Sequence, residues 1–360
     1  MKRYIFISLL ILASLTACVR NEMSRPDRAV SFLVGQYVPG VKAVSLNDSE
    51  DAITSFSSKG FLYAVGVNTV QDFFGTDGES ISYDSSVPEW TPSHPYYWPK
   101  SGDSYINFVS WFDKNGDPDD VDNVSETSIS WTIDGTNRSL LSDDNIMIAD
   151  EAWHYNDNAQ VYTEYSLVEE GVPTLFRHLL ARICFVVRLS TLGDEGVTYS
   201  LSVSNFVLGR VYTTGSITLS NSEPASLPST SAWSGSWVTS GTKTNISSPI
   251  AGLNDNLSIA STDGVVVFPM HSMIPQSVSN SYISFDYTIR TTYDANNYIE
   301  ENASTGLILL SGFTGAPASW QMNKKVTYKV TINPELSEIL IDPVDTDWVG
   351  PLAPAPITIE

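Results

Sequence analysis

Apolar residues recur at every second position along much of this chain, and this two-residue period constrains the possible folds most strongly. In residues 326–332, Val, Tyr, Val and Ile alternate with Thr, Lys and Thr. Successive side chains of a β-strand point to opposite faces of a sheet, so such a segment buries one face and exposes the other. The same alternation occurs at residues 30–34, 61–67, 129–133, 183–189, 201–203, 211–219 and 283–289.

Segments with the period of a helix are nearly absent. Only residues 174–182 could form a turn or two of helix. Residues 105–111 are apolar on nearly both faces, which is typical of a strand in the interior of a sheet. Many short strands separated by turn residues favour β-sandwiches over an α/β fold, so we predict an all-β chain.

A stretch crowded with Ser, Thr, Gly and Pro divides the strand-rich sequence into two parts. It covers residues 221–248 and is typical of a connection between domains that also contains a long loop. We therefore predict two β-sandwich domains in tandem. The first covers residues 29–222, and the second covers residues 223–360.

The N-terminus has the pattern of a lipoprotein signal peptide. Lys2 and Arg3 precede an apolar run over residues 4–12, and Ala-Ser-Leu-Thr-Ala then leads to Cys18. This order predicts that signal peptidase II removes residues 1–17 and that the sulfur of Cys18 carries diacylglycerol. An ordinary signal peptide with a chance cysteine is the alternative. The lipoprotein interpretation places the mature chain outside the cytoplasm, with a lipid anchor in a membrane.

The chain is strongly acidic, with 19 Lys and Arg residues, 41 Asp and Glu residues and a formal net charge of −22. This charge repels phosphate backbones and does not suit adsorption to an anionic membrane, so we predict no nucleic-acid partner. A hydrophobic content of 42% is sufficient for a packed core. With Cys18 lipidated, Cys184 has no partner for an intrachain disulfide, and we predict a buried thiol.

No catalytic or nucleotide-binding motif occurs in the sequence. The four histidines are isolated, and the adjacent acidic pairs are typical of solvated loops. Residues 113–117 begin like a calcium loop, but Pro118 and Val124 occupy the positions of the EF-hand glycine and bidentate glutamate. We interpret the segment as an acidic hairpin loop, with adventitious calcium as the alternative. We therefore predict no dedicated metal site, no cofactor and no enzymatic activity. The absence of a catalytic motif also counts against a secreted hydrolase.

Two groups of aromatic residues could either pack into the core or bind a glycan at the surface. Trp90, Tyr96, Tyr97 and Trp98 lie just before the central strand, so core or sheet-edge packing is the better explanation. The Ser/Gly-rich stretch contains Trp233 and Trp237, which we expect to be exposed candidates for glycan contact. The alternative function is therefore a surface glycan-binding lipoprotein.

Five stretches, in order, resemble signatures of the fimbrillin family of surface lipoproteins, which are the subunits and accessory proteins of type V pili. Asp113 replaces the common proline after the first signature, and Asn323 stands at the usual glycine of the fourth. Together the five stretches extend the resemblance over about residues 29–350. The stretches are Tyr97-Trp98-Pro99 with residues 105–112, residues 144–149, residues 172–187 with Phe176-Arg177-His178-Leu179-Leu180-Ala181-Arg182, residues 320–328, and Asp345-Thr346-Asp347-Trp348.

The resemblance implies two transthyretin-like β-sandwich domains and a surface-exposed lipoprotein of the outer membrane that functions in fimbriae and adhesion. It also implies that a protease specific for arginine removes a leader, residues 18–28, and that a strand from another fimbrial subunit then fills the groove that is left. Arg25 and Arg28 precede the first strand, and cleavage after Arg28 would free Ala29. Stalk, anchor and tip roles stay open, as does the ligand on a host or bacterial surface.

Overall fold

The structure is a computed structural model. It describes residues 29–38, 41–44, 53–64, 70–86, 89–98, 104–114, 121–135, 140, 143–149, 152–155, 171–193, 196–221, 233–249, 257–259, 263–313, 315–336 and 338–348. Within these ranges, no helix is long and apolar enough to cross a membrane.

The described residues form strands joined by turns, with one short 3-10 turn at Leu310–Gly312, which confirms the predicted all-β class. The strands are β1 (Phe32–Val38), β2 (Val41–Val44), β3 (Ser55–Ala64), β4 (Gln71–Asp72), β5 (Glu79–Asp84), β6 (Glu89–Pro92), β7 (Ser104–Asp113), β8 (Val121–Asp122), β9 (Ser128–Ile133), β10 (Ile146–Ala149), β11 (Ala152–Tyr155), β12 (Val172–His178), β13 (Ala181–Leu189), β14 (Thr198–Val211), β15 (Thr214–Ser220), β16 (Val238–Ser240), β17 (Thr244–Ser247), β18 (Leu257–Ile259), β19 (Val265–Met273), β20 (Tyr282–Asp294), β21 (Asn297–Ser304), β22 (Ile308–Leu309), β23 (Lys324–Asn333) and β24 (Glu338–Asp347).

Seven strands of the N-terminal part form a sheet that closes on itself. Their order is β7-β10-β12-β1-β6-β5-β3, and β3 pairs again with β7. Strands β1 and β12 run parallel, and the other pairs in this ring run antiparallel. The short strands β2, β4 and β11 pair with β1, β3 and β7. As predicted, the apolar strand at residues 105–111 is central, because β7 has neighbours on both sides.

A four-stranded sheet, in the order β16-β15-β9-β8, packs against the closed sheet. Ile129, Trp131 and Ile133 of β9 are buried, as the alternation predicts, because they meet apolar side chains of β3, β7 and β10. The same core extends to Ile274 and Trp348 in the C-terminal part, so the two parts of the chain share apolar packing.

The C-terminal part is a pair of sheets around one core. One sheet has the order β19-β13-β23-β24, and the other has the order β17-β14-β20-β21, with β18 beside β14 and β22 beside β20. The buried faces predicted for residues 183–189, 283–289 and 326–332 all contribute to this core. Cys184 is buried in β13, and burial raises the pKa of its thiol to about 11.

The strand pairing divides the chain differently from the predicted boundary at residue 222. Strands β13 and β14 precede that residue, yet they pair with β23 and β20 of the C-terminal sheets. After β14 the chain returns to the N-terminal part, where β15 pairs with β9. Alternation shows which face of a strand is buried, but it does not show which strand lies beside it.

Two local predictions also differ from the structure. The possible helix at residues 174–182 is wrong, because residues 174–178 belong to β12 and residues 181–182 to β13, and these two strands lie in different sheets. The stretch at residues 221–248 contains β16 and β17, which pair with β15 and β14. Ser and Thr are compatible with short edge strands, so their abundance alone did not distinguish a loop from a strand.

Candidate functional site

The first strand is built into the closed sheet by its alternating side chains. Val30, Phe32 and Val34 are 2%, 3% and 5% exposed, which confirms the predicted face. The ring centroid of Phe32 lies 5.7 Å from that of Phe56 and 5.3 Å from that of Phe108. Fully burying a side chain of this kind contributes roughly 1.5–3 kcal/mol. Loss of β1 would therefore open a groove lined by aromatic rings.

The backbone of β1 completes the ladder between β12 and β6. It pairs in parallel with β12 from Phe32 opposite Val172 to Gln36 opposite Phe176, and it meets β6 at Trp90. The Val172 N–H also donates to the carbonyl oxygen of Ser31 at 2.8 Å. Without β1, two neighbouring strands would each present unpaired backbone groups, which is the condition for addition of another strand.

The residues before β1 lie along the segment that leads to Trp98. The Val30 N–H donates to the carbonyl oxygen of Tyr96 at 2.8 Å, and Ala29 forms an isolated antiparallel bridge with Tyr97. Ala29 is exposed, so the backbone just after the predicted cleavage point lies at the surface. The predicted signal peptide, Cys18, Arg25 and Arg28 lie outside the described residues.

Gly171 allows β12 to approach β1 closely. Its φ of +88° is left-handed, and a Cβ built there would lie 2.9 Å from the carbonyl carbon of Phe32. Side chains are disfavoured in this conformation, and the backbone of Phe32 is not a group that can move aside cheaply. Glycine is therefore required where the chain enters β12.

A buried carboxylate anchors the segment that contacts the start of β1. The side chain of Glu79 is 6% exposed, and its Oε1 lies 2.6 Å from Nδ1 of His94 and 3.1 Å from the donating hydroxyl of Tyr96. The hydroxyl of Ser93 donates to Oε2 of the same carboxylate. Burial raises the pKa of Glu79, but these hydrogen bonds outweigh burial and leave the pKa below its ordinary value.

A second cluster joins the two parts of the chain. The rings of His178 and Trp348 are stacked, and Arg182 lies over Trp348 with its guanidinium carbon 4.5 Å from the ring centroid. Nδ1 of His178 donates to Oδ1 of Asn145 at 2.7 Å, and the His178 backbone N–H donates to Oδ1 of Asn323 at 3.3 Å. We call these five residues the junction cluster.

The electrostatics of the junction cluster keep its histidine neutral. Burial lowers the pKa of His178 well below the ordinary value, and the positive charges of Arg182 and Lys325 lower it further. Nearby, the hydroxyl of Ser272 donates to the backbone carbonyl of Asp144, and both residues are fully buried. Burial also lowers the pKa of His271, although the charge of Asp144 opposes this shift.

A family model described as fimbrillin-like matches residues 61–348. The chain belongs to the fimbrillin-like family. This confirms the resemblance found in the sequence. The comparison with curated proteins gives no significant match.

One solved structure, with a TM-score above 0.5, supports the fold of the fimbrillin-like chain. A fimbrial protein from Bacteroides vulgatus is 14% identical, covering 89% of this chain and 100% of that chain with a TM-score of 0.56. A proposed cell adhesion protein from Bacteroides uniformis is 11% identical, covering 89% and 98% with a TM-score of 0.46. A C-terminally truncated tip fimbrial protein from Porphyromonas gingivalis is 9% identical, covering 89% and 100% with a TM-score of 0.34.

The fimbrillin-like signatures meet at the junction cluster. Asn145, His178 and Trp348 come from three separate signatures of the sequence, and the folded chain brings them into contact. Asn323, at the usual glycine of a fourth signature, has a φ of +61° and accepts the Trp348 N–H at 2.8 Å through its carbonyl oxygen. Asparagine is among the few residues that tolerate a left-handed conformation, which explains why it can replace glycine at this position.

The expected exposure of Trp233 and Trp237 is wrong. Their side chains are 2% and 9% exposed, because both rings pack into the core between the closed sheet and the four-stranded sheet. Nε1 of Trp237 donates to the carbonyl oxygen of Leu179 at 2.7 Å. Ring faces that are packed in this way cannot form a platform for a sugar. Trp90 and Trp98 are buried as predicted, and Tyr97 is 46% exposed.

The start of the predicted acidic loop takes part in an ion pair. Nζ of Lys114 lies 2.9 Å from Oδ2 of Asp143, and this contact lowers the pKa of Asp143. Residues 115–117 lie outside the described residues. Across the part of the chain that the structure describes, no three His, Cys, Asp or Glu side chains are grouped to hold a metal ion.

Sequence reasoning missed the Glu79 group and the contacts of the junction cluster. Glu79 begins β5 and His94 follows β6, and no sequence motif marks the contact between them. The signatures include His178 and Trp348, but they did not predict that the two side chains are in contact. Stacking between them depends on the packing of β12 against the end of β24.

Proposed function

We propose that this chain is a cell-surface lipoprotein that acts as a structural or accessory subunit of a fimbria and mediates adhesion. Membership of the fimbrillin-like family and the all-β fold support this role, which is structural and not catalytic. The proposal includes lipidation at Cys18, an outer-membrane location and two transthyretin-like domains in tandem. It also includes other fimbrial subunits as partners.

Assembly by strand donation is the mechanism proposed for this subunit. One observation carries it: Phe32 and its neighbours fill the aromatic core as part of a strand that starts directly after the predicted cleavage point at Arg28. Cleavage there would free the N-terminal end of β1, so that β1 could leave the sheet while its C-terminal end stays joined to the chain. A strand from another subunit that takes its place must present apolar side chains where Val30, Phe32 and Val34 lie.

Replacement of β1 by a donor strand is energetically reasonable only if the donor reproduces two interactions of β1, its apolar burial and its backbone pairing. Three buried side chains and the ladder to β12 stabilise the present strand, so an uncompensated groove would expose apolar surface and unpaired amides. A donor with the same alternation restores both. The exposed position of Ala29 supports access of a protease to the preceding bond.

The experiment is mass spectrometry of the mature N-terminus in sheared material and in the cell-bound fraction. We expect chains that begin at Ala29 in SDS-resistant ladders. The double variant Arg25→Ala with Arg28→Ala should keep the leader and lose the ladders, whereas the matched control Arg20→Ala should be processed like the parent. A parent chain that stays monomeric, lipidated at Cys18 and confined to cells would contradict polymerisation.

A further inference from the structure

Strand β21 forms a long open edge of the C-terminal sandwich. Its eight residues, Asn297–Ser304, are all exposed. Within the described ranges, β21 lies at the end of its sheet and pairs with β20 alone. An edge of this kind presents a row of backbone donors and acceptors on its outer side, which another strand can pair with.

The other edges of the described sheets carry features that hinder strand addition. Strand β24 contains Pro343, and β19 contains Pro269 together with two register shifts against β13. The ends of the remaining sheets are short, with four residues in β17, three in β16 and two in β8. Strand β21 has no proline, and its pairing runs without a shift from Ser304 to Tyr298.

The charges on β21 select the kind of strand that can join it. Glu300 and Glu301 point to opposite faces because they are consecutive in a strand. Glu300 lies opposite Arg290, with 3.6 Å between Nη1 and Oε1. Glu301 lies opposite the apolar Ile289 in the pairing register. An incoming strand with a cation on each face would meet a carboxylate on each face.

We propose that β21 is a docking edge for an extended, basic segment of a different protein, which adds to this sheet as its next strand. Two copies of β21 do not suit each other, because pairing around their centre places glutamates opposite glutamates. The C-terminal residues 349–360 contain no lysine or arginine, so they do not match these charges either. The exposed side chains of Tyr298 and Ile299, at 48% and 50%, offer apolar contact beside the acidic pair.

The test uses the full mature chain and synthetic ten-residue peptides, with binding measured by fluorescence anisotropy. The first peptide alternates threonine and valine around two central lysines, and the second has glutamates in place of the lysines. The third is the lysine peptide with alternate backbone nitrogens methylated. We expect the lysine peptide to bind and the other two to bind at least about tenfold more weakly. If the methylated peptide binds as well as the unmethylated lysine peptide, backbone pairing is not needed for binding. Surface charge alone would then explain the binding, and strand addition would be overturned.

Charge reversal provides the decisive variant. Glu300→Lys with Glu301→Lys should exchange the preference, so that the glutamate peptide binds and the lysine peptide does not. The matched control, Glu335→Lys with Glu338→Lys, makes the same change of charge at exposed residues of the β23–β24 hairpin and should bind like the parent. No binding of the lysine peptide by the parent, or equal effects of both double variants, would overturn the proposal. The proposal does not depend on release of β1, so Arg25→Ala with Arg28→Ala should leave peptide binding unchanged.

Discussion

The imidazole of His178 and the indole of Trp348 lie face to face, with ring centroids 3.8 Å apart and planes 1° from parallel. His178 ends β12 of the closed sheet, and Trp348 directly follows β24 of the C-terminal sandwich. This aromatic contact is therefore one of those that join the N-terminal and C-terminal parts, together with the apolar core that they share.

Trp348→Ala should destabilise the whole chain. The indole is fully buried between His178 and Arg182, so its removal leaves a cavity and a buried histidine without its stacking partner. We expect a loss of roughly 3–5 kcal/mol in the free energy of unfolding, measured by chemical denaturation. Tyr97→Ala removes an exposed aromatic ring and should change stability by no more than about 0.5 kcal/mol. Equal losses for the two variants would contradict a structural role for the junction cluster.

Stability should fall as the pH drops below about 6.5, the ordinary pKa of histidine. The pKa of His178 in the folded chain is lowered by burial and by Arg182 and Lys325, so below that pH the unfolded chain binds more protons. His271 contributes with the same sign. The free energy of unfolding, measured from about pH 7 to about pH 5, should therefore decline with acid. His178→Gln should reduce this slope, and an unchanged slope would contradict a neutral buried His178.

The left-handed backbone at Asn323 predicts different costs for two small replacements. Asn323→Ala and Asn323→Gly both lose the side-chain acceptor for the His178 N–H, but only alanine keeps a Cβ at a φ of +61°. Asn323→Ala should therefore be less stable than Asn323→Gly by about 1–2 kcal/mol in thermal or chemical unfolding. Equal stabilities would show that the backbone relaxes at this position.

Phe32→Ala should disrupt the core of the closed sheet. The ring packs against Phe56 and Phe108, so we expect a loss of roughly 3–5 kcal/mol in the free energy of unfolding. Leu33→Ala is the matched control, because Leu33 is the next residue of β1 and points to the other, partly exposed face. It should cost clearly less. If the two losses were similar, β1 would not depend on its inward face for attachment.

Glu79→Gln should weaken the attachment of the segment that contacts β1. The carboxylate accepts from Ser93, His94 and Tyr96, and hydrogen bonds to a charged group contribute about 1.5–3 kcal/mol. The pKa of Glu79 is below its ordinary value of 4.5, so this stability is present above that pH and is lost as the pH falls through the folded pKa. The difference between variant and parent should shrink in acid. Glu89→Gln, at an exposed position of β6, should show neither effect.

Local sequence determined the strand faces well. The period-two pattern identified Val30, Phe32 and Val34 as one buried face, and it did the same for Ile129, Trp131 and Ile133. It succeeded because burial of one face is a property of each strand alone. The five signatures also indicate the family from sequence alone, because they retain their order along the chain.

Tertiary structure alone decided which strands are neighbours and which aromatic rings are buried. Strand β14 pairs with β20 although the predicted boundary separates them, and Trp237 is buried although its sequence neighbours are small and polar. Both outcomes arise from contacts between residues that are distant in the chain, where packing of whole sheets outweighs local composition. The stack of His178 on Trp348 has the same origin. The sequence thus determined an all-β chain with known faces, and the packing of its sheets determined the groove and the junction.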